Sequence, residues 1–177
     1  MTRPLLAALV SLSILCGFAS CGKVPLLPDG GIDICSKDDL QSTPTLCPDR
    51  LSLGFGQEFG TGTKIGQAPQ NTISIRNNST ANLDVTSATL TGDSAFTMTV
   101  GYDADAGTGH DLPVSIGGNK YLYLQVIFAP TQAKAYNASI TLASNASNAP
   151  MQVFALSGCG VPTDGGTSPC YADGGAP

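Results

Sequence analysis

Lys120–Gly160 reads KYLYLQVIFAPTQAKAYNASITLASNASNAPMQVFALSGCG. Apolar and polar residues alternate in three runs. Leu122, Leu124, Val126 and Phe128 share one face of the first, Ala138, Ile140 and Leu142 one face of the second, and Phe154 and Leu156 one face of the third. A period of two is that of a strand with one buried face. Pro130 ends the first run, because proline has no N–H to give to a central ladder. Gly158 and Gly160 are expected to let the last strand bend away where a side chain would obstruct.

The same period extends upstream. Leu51, Leu53 and Phe55 occupy one face of a first strand, and Ile73 and Ile75 mark another that stops at Asn77-Asn78-Ser79. Leu83 and Val85 follow, then Ala88 and Leu90 before Gly92. Phe96, Met98 and Val100 alternate with threonines, and Val114 and Ile116 precede the turn Gly117-Gly118-Asn119. No helical period occurs beyond the first twenty residues. Seven to eight strands at a spacing of ~8–12 residues predict an all-β fold, an immunoglobulin-like β-sandwich over residues 47–161. An up-and-down barrel is the competing architecture.

At 177 residues the chain has room for one domain with flanks. Charged residues are 12% of it, about half the usual ~25%. With a net charge of −5 there is no basic footprint for nucleic acid. His110 is the only histidine and Glu58 the only glutamate, so acid–base chemistry is poorly supplied. No Gly-x-Ser-x-Gly nucleophile elbow is present.

The first twenty residues have the form of a secretory signal, with Arg3 ahead of an apolar stretch from Leu5 to Leu15 and small residues after it. The apolar stretch is shorter than the ~20 residues of a spanning helix. Phe18-Ala19-Ser20-Cys21 resembles a bacterial lipobox, with Phe where that pattern usually has Leu. The resemblance implies cleavage before Cys21, lipidation of that cysteine and, with Gly22 next, an outer-membrane destination. An ordinary cleaved signal is the alternative. Without residues 1–20 the chain has seven basic and thirteen acidic residues, a net of −6, so attachment to anionic lipid would rest on the acyl chains.

Residues 21–46, with Pro25, Pro28, Gly30, Gly31 and Pro44, read as a tether, and residues 162–177, with two Asp-Gly-Gly triplets, as a flexible tail. The tether and tail bring Cys35 and Cys170, and the domain's ends bring Cys47 and Cys159. An even number in an exported chain predicts disulfides. Of the three pairings, the local ones, Cys35 with Cys47 and Cys159 with Cys170, are favoured. A Cys47–Cys159 bridge would fail on distance if the first and last strands run parallel. A zinc site is the runner-up, without any Cys-x-x-Cys spacing.

Leu53–Gly56, Ile73–Asn78, Val126–Pro130, Ala138–Asn145 and Phe154–Gly160, in this order and spacing, resemble the abnormal-spindle/hydin (ASH) immunoglobulin-like domain. They are also similar to bacterial choice-of-anchor D lipoproteins of the kind found in myxobacteria. The likeness covers about 110 residues. It implies a structural or adhesive module with no catalysis.

Three local features compete for a functional role. Asp103 and Asp105 before Gly107, with Asp111 behind, resemble the start of a calcium loop, but no third acid or closing Glu follows at the required spacing, and a solvated acidic turn is the plainer reading. Asn77, Asn78, Asn137 and Asn145 head glycosylation-type triplets that also suit strand ends. Tyr121 and Tyr123 point away from Leu122 and Leu124, forming an aromatic stripe that suits an interface or packs beneath the loop 101–112. The sequence therefore predicts an exported, non-enzymatic lipoprotein, anchored by Cys21 to the outer membrane of a bacterial envelope. It would need no cofactor and would meet an envelope or extracellular protein or a glycan, an edge strand being the favoured route. A secreted, non-lipidated adhesion or glycan-binding module is the first alternative, and a calcium-dependent or hydrolytic protein the second.

Overall fold

The computed structural model describes residues 35–56, 62–102, 109–164 and 170. The expected signal and lipidation site at residues 1–21, the tether up to residue 34, Asp103, Asp105 and most of the tail lie outside these residues.

Ten strands are formed among the described residues: β1 (Leu46–Pro48), β2 (Ser52–Phe55), β3 (Thr63–Lys64), β4 (Gln70–Asn77), β5 (Leu83–Gly92), β6 (Phe96–Tyr102), β7 (Val114–Ile116), β8 (Tyr121–Phe128), β9 (Ala135–Ser144) and β10 (Met151–Val161). They build two sheets, β1-β4-β8-β6 and β2-β10-β9-β5-β7, with β3 also on β10. The fold is the expected all-β, immunoglobulin-like sandwich. Seven strands have four residues or more, and β1, β3 and β7 are short edge pieces of two or three.

Alternation builds the core. On β8, Leu122, Leu124, Val126 and Phe128 are fully buried, and across the sandwich so are Ile140 and Leu142 of β9 and Phe154 of β10. Burying each such side chain contributes about 1.5–3 kcal/mol. In β5 the inward set changes parity, from Leu83 and Val85 to Ala88 and Leu90. A register shift between Val85 and Ser87 absorbs the extra residue, so both halves face inward. Leu51 departs from the predicted pattern: it is 57% exposed, because the chain is still in the bend before β2 and the alternation does not reach it.

Phe128 is the aromatic hub. Its ring lies 4.8 Å from that of Phe96, 5.5 Å from Phe55 and 5.4 Å from Tyr136. A Cβ on Gly158 would come within 2.6 Å of this ring. This corrects the expected bend at the C-terminal glycines: β10 runs on to Val161, and Gly158 makes room for Phe128. Close by, the Tyr136 hydroxyl accepts from the N–H groups of Gln132 and Thr131 and donates to the Gln132 carbonyl. Such a bond to backbone a few residues upstream has the form of a tyrosine corner.

The first and last long elements of one sheet, β2 and β10, pair in parallel from Ser52–Ala155 to Phe55–Gly158. Both local disulfides are formed, Cys35–Cys47 and Cys159–Cys170, with Cα–Cα distances of 5.5 and 6.0 Å.

Candidate functional site

On a strand whose even positions fill the core, the odd positions must face out. On β8 these are Tyr121, Tyr123, Gln125 and Ile127, all half-buried. Tyr121 and Tyr123 place their rings 6.1 Å apart and within 13° of parallel. Tyr123 sits opposite Ser74 on β4 and Gly101 on β6, and Tyr121 opposite Arg76. The stripe is thus on the outer face of the four-stranded sheet. The middle of the 101–112 loop lies outside the described residues.

The segment 35–45, assigned to the tether on composition, is hydrogen-bonded along this sheet. Gln41 N–H donates to the Asn78 carbonyl and Thr80 N–H to the Gln41 carbonyl, closing a bridge beside β4. Asn78 Nδ2 donates to the Ser36 carbonyl at 3.1 Å. Arg76 Nη2 donates to the Cys35 carbonyl at 2.7 Å, and Nη1 meets Asn119 Oδ1 at 3.5 Å. The Cys35–Cys47 bond ties the segment to β1, whose Cys47 is the neighbour of Arg76.

Together these parts enclose an open cavity of about 240 Å³, lined by Cys35, Lys37, Cys47, Pro48, Asp49, Ser74, Arg76 and Tyr121. Its electrostatics are uneven. Arg76 is only 6% exposed, and both its recorded partners are neutral oxygens. A buried ion without a counter-charge loses several kcal/mol of hydration, by order of magnitude. Asp49 is the one carboxylate in the lining, and it is engaged elsewhere: Oδ1 accepts from Ser74 N–H at 2.9 Å and Oδ2 from Arg50 Nε at 3.1 Å. Sequence reasoning found Tyr121 and Tyr123 but missed Arg76 and Lys37. The only available signal was a charged residue at the end of an apolar strand.

The remaining sites separate. His110 is half-buried with its ring 4.4 Å from that of Tyr102, and its backbone N–H donates to the Val100 carbonyl on the β6 edge. Asp111 is exposed. Among the described residues no three His, Cys, Asp or Glu side chains gather as metal ligands. Asn77 and Asn78 are fully buried, so neither can serve as a glycan acceptor in the folded chain, whereas Asn137 and Asn145 are exposed. Asn77 instead donates through Nδ2 to the carbonyls of Ala81, Ile116 and Gly117 and accepts from the Ser79 hydroxyl, tying the β4–β5 and β7–β8 connections together at one end of the core.

The family model described as Cep192 domain 4 matches residues 59–161. No curated protein matches the chain. Among solved structures, the chain is similar to the ASH/PapD-like domain 7 of human CEP192, at 12% identity and a TM-score of 0.45 over 68% of this chain and 88% of that one. It is also similar to a protein of unknown function from Porphyromonas gingivalis W83, at 17% identity and a TM-score of 0.47, covering 67% of this chain and 48% of that one. A third is the periplasmic chaperone SfaE, at 11% identity and a TM-score of 0.43, covering 67% and 58%.

Proposed function

The chain belongs to the Cep192 domain 4 family, and on that footing we propose that it is a cell-envelope lipoprotein displaying one ASH-type immunoglobulin-like sandwich as a non-catalytic binding module. The observation that carries the binding role is the pair Tyr121 and Tyr123, set parallel on the outer face of the β1-β4-β8-β6 sheet. Neither ring is needed to fill the core, which the even positions of β8 fill alone. Tyrosine provides wide contact area while surrendering few rotatable bonds, which suits a surface made to meet another molecule. The export part of the proposal draws on the apolar stretch Leu5–Leu15 with Cys21 behind it, and two disulfides accord with an oxidising compartment.

A pull-down from native envelope extract tests the binding role. The full chain is the bait, and a Tyr121→Ala/Tyr123→Ala variant of matched thermal stability is the control. The wild type should retain an envelope protein or glycan that the variant loses. Equal retention by both would remove the tyrosine face from the proposal.

A further inference from the structure

We infer that the cavity beneath the Cys35–Cys47 bond is a binding site for the carboxylate of a uronic acid unit in an acidic polysaccharide. The inference deepens the binding role proposed above and rests on it.

The lining is rich in donors. Arg76 has five N–H donors in a planar fork, of which the Cys35 carbonyl and Asn119 take two. Lys37 and the hydroxyls of Ser74 and Tyr121 have no partner among the described residues. The single lining carboxylate, Asp49, is paired at the surface with Arg50 and held by the Ser74 N–H. The lining thus holds two cations and two hydroxyls against one surface-paired carboxylate, a local positive excess in a chain whose net charge is −5. A metal ion would need acceptors, and a neutral sugar would leave Arg76 uncompensated. A carboxylate supplies the missing charge, and its two oxygens match a guanidinium fork.

The shape selects the rest of the ligand. A cavity of about 240 Å³ lies below the ~300–1,000 Å³ of drug-sized sites, so it holds one small unit. Tyr121 forms one wall, and Tyr123 continues the aromatic surface 6.1 Å further along β8. A sugar ring can lay its C–H face on one tyrosine, and the next ring of a polymer on the second. The remaining hydroxyls of the sugar can reach Ser74.

Calorimetric titration of the full chain with digalacturonate tests this, with the neutral digalactoside, sulfate and N-acetyl-dialanine as comparison probes. Digalacturonate should bind about tenfold more tightly than each of the three, the scale of one charge-assisted contact set. Binding should weaken with added salt. Because Arg76 is buried and its loss could unfold the domain, Lys37→Glu and Tyr121→Ala are the variants of choice. Each should weaken binding about fivefold or more at unchanged melting temperature. Equal affinity for the neutral digalactoside, for sulfate or for the dipeptide overturns the uronate assignment, as does binding that neither variant alters. If digalacturonate fails while the envelope pull-down still depends on Tyr121 and Tyr123, the pocket assignment falls and the tyrosine face stands.

Discussion

Asn77 illustrates how one polar side chain can hold a core closed. Its amide donates to three carbonyls, those of Ala81, Ile116 and Gly117; Ala81 also accepts from the Ser79 hydroxyl and Gly117 from the Lys120 N–H. Asn77→Ala removes the donor shared by these carbonyls and the acceptor of the Ser79 hydroxyl, and should cost about 1–3 kcal/mol, read as a lower urea midpoint at unchanged slope. Asp93 acts at the surface. The Asn137 N–H, and then Lys134, hold its carboxyl below its ordinary value of 3.8. The native state thus favours the ionised form. That preference stabilises the fold above pH 3.8 and is lost as the pH falls through the lower native value. Asp93→Asn removes it, so a plot of stability against pH should be flatter below 3.8 in the variant than in the wild type. A wild-type acid limb as flat as that of the variant would contradict this role.

Among the elements, β8 and β9 were plain in the sequence because their apolar residues alternate without a break. The bulge in β5 was visible only as a change of parity between Val85 and Ala88, which the register shift explains. Strands β1 and β3 were not legible: two or three residues carry no period, and their pairing with β4 and β10 is decided by tertiary contact. The cavity was hidden for a related reason. Arg76 and the Cys35 carbonyl that holds it are 41 residues apart, so no local pattern announces the pair. The segment 35–46 looked like linker for lack of apolar alternation; side-chain amides, backbone bonds and one disulfide fix it instead. Closing a loop of sequence separation 12 stabilises by about 3 kcal/mol on the chain-entropy account. A Cys35→Ser/Cys47→Ser variant should lose about that much. It should also show faster amide exchange at Gln41 and Thr80, whose N–H groups bond across this junction.

For the molecule as a whole, charge and covalent chemistry make separate predictions about attachment. On the proposed lipid anchor, a chain of net charge −6 without residues 1–20 has no electrostatic hold on anionic lipid, so a wash at about 1 M salt, where the screening length is ~3 Å, should leave it on the membrane. Cys21→Ala should release it and abolish palmitate labelling. Labelling that survives the substitution would overturn the Cys21 anchor, and a wild type that takes no label would point to an ordinary cleaved signal. The parallel pairing of β2 with β10 bears on how the domain carries load. The chain enters β2 at one pole of the sheet and leaves β10 at the other. A pull that enters at Ser52 and leaves at Val161 therefore runs along the strands, across rungs from Ser52–Ala155 to Phe55–Gly158 that share the load in shear instead of opening one after another like a zip. Along the β2–β10 pair, force between these two poles meets the stiff direction of the ladder.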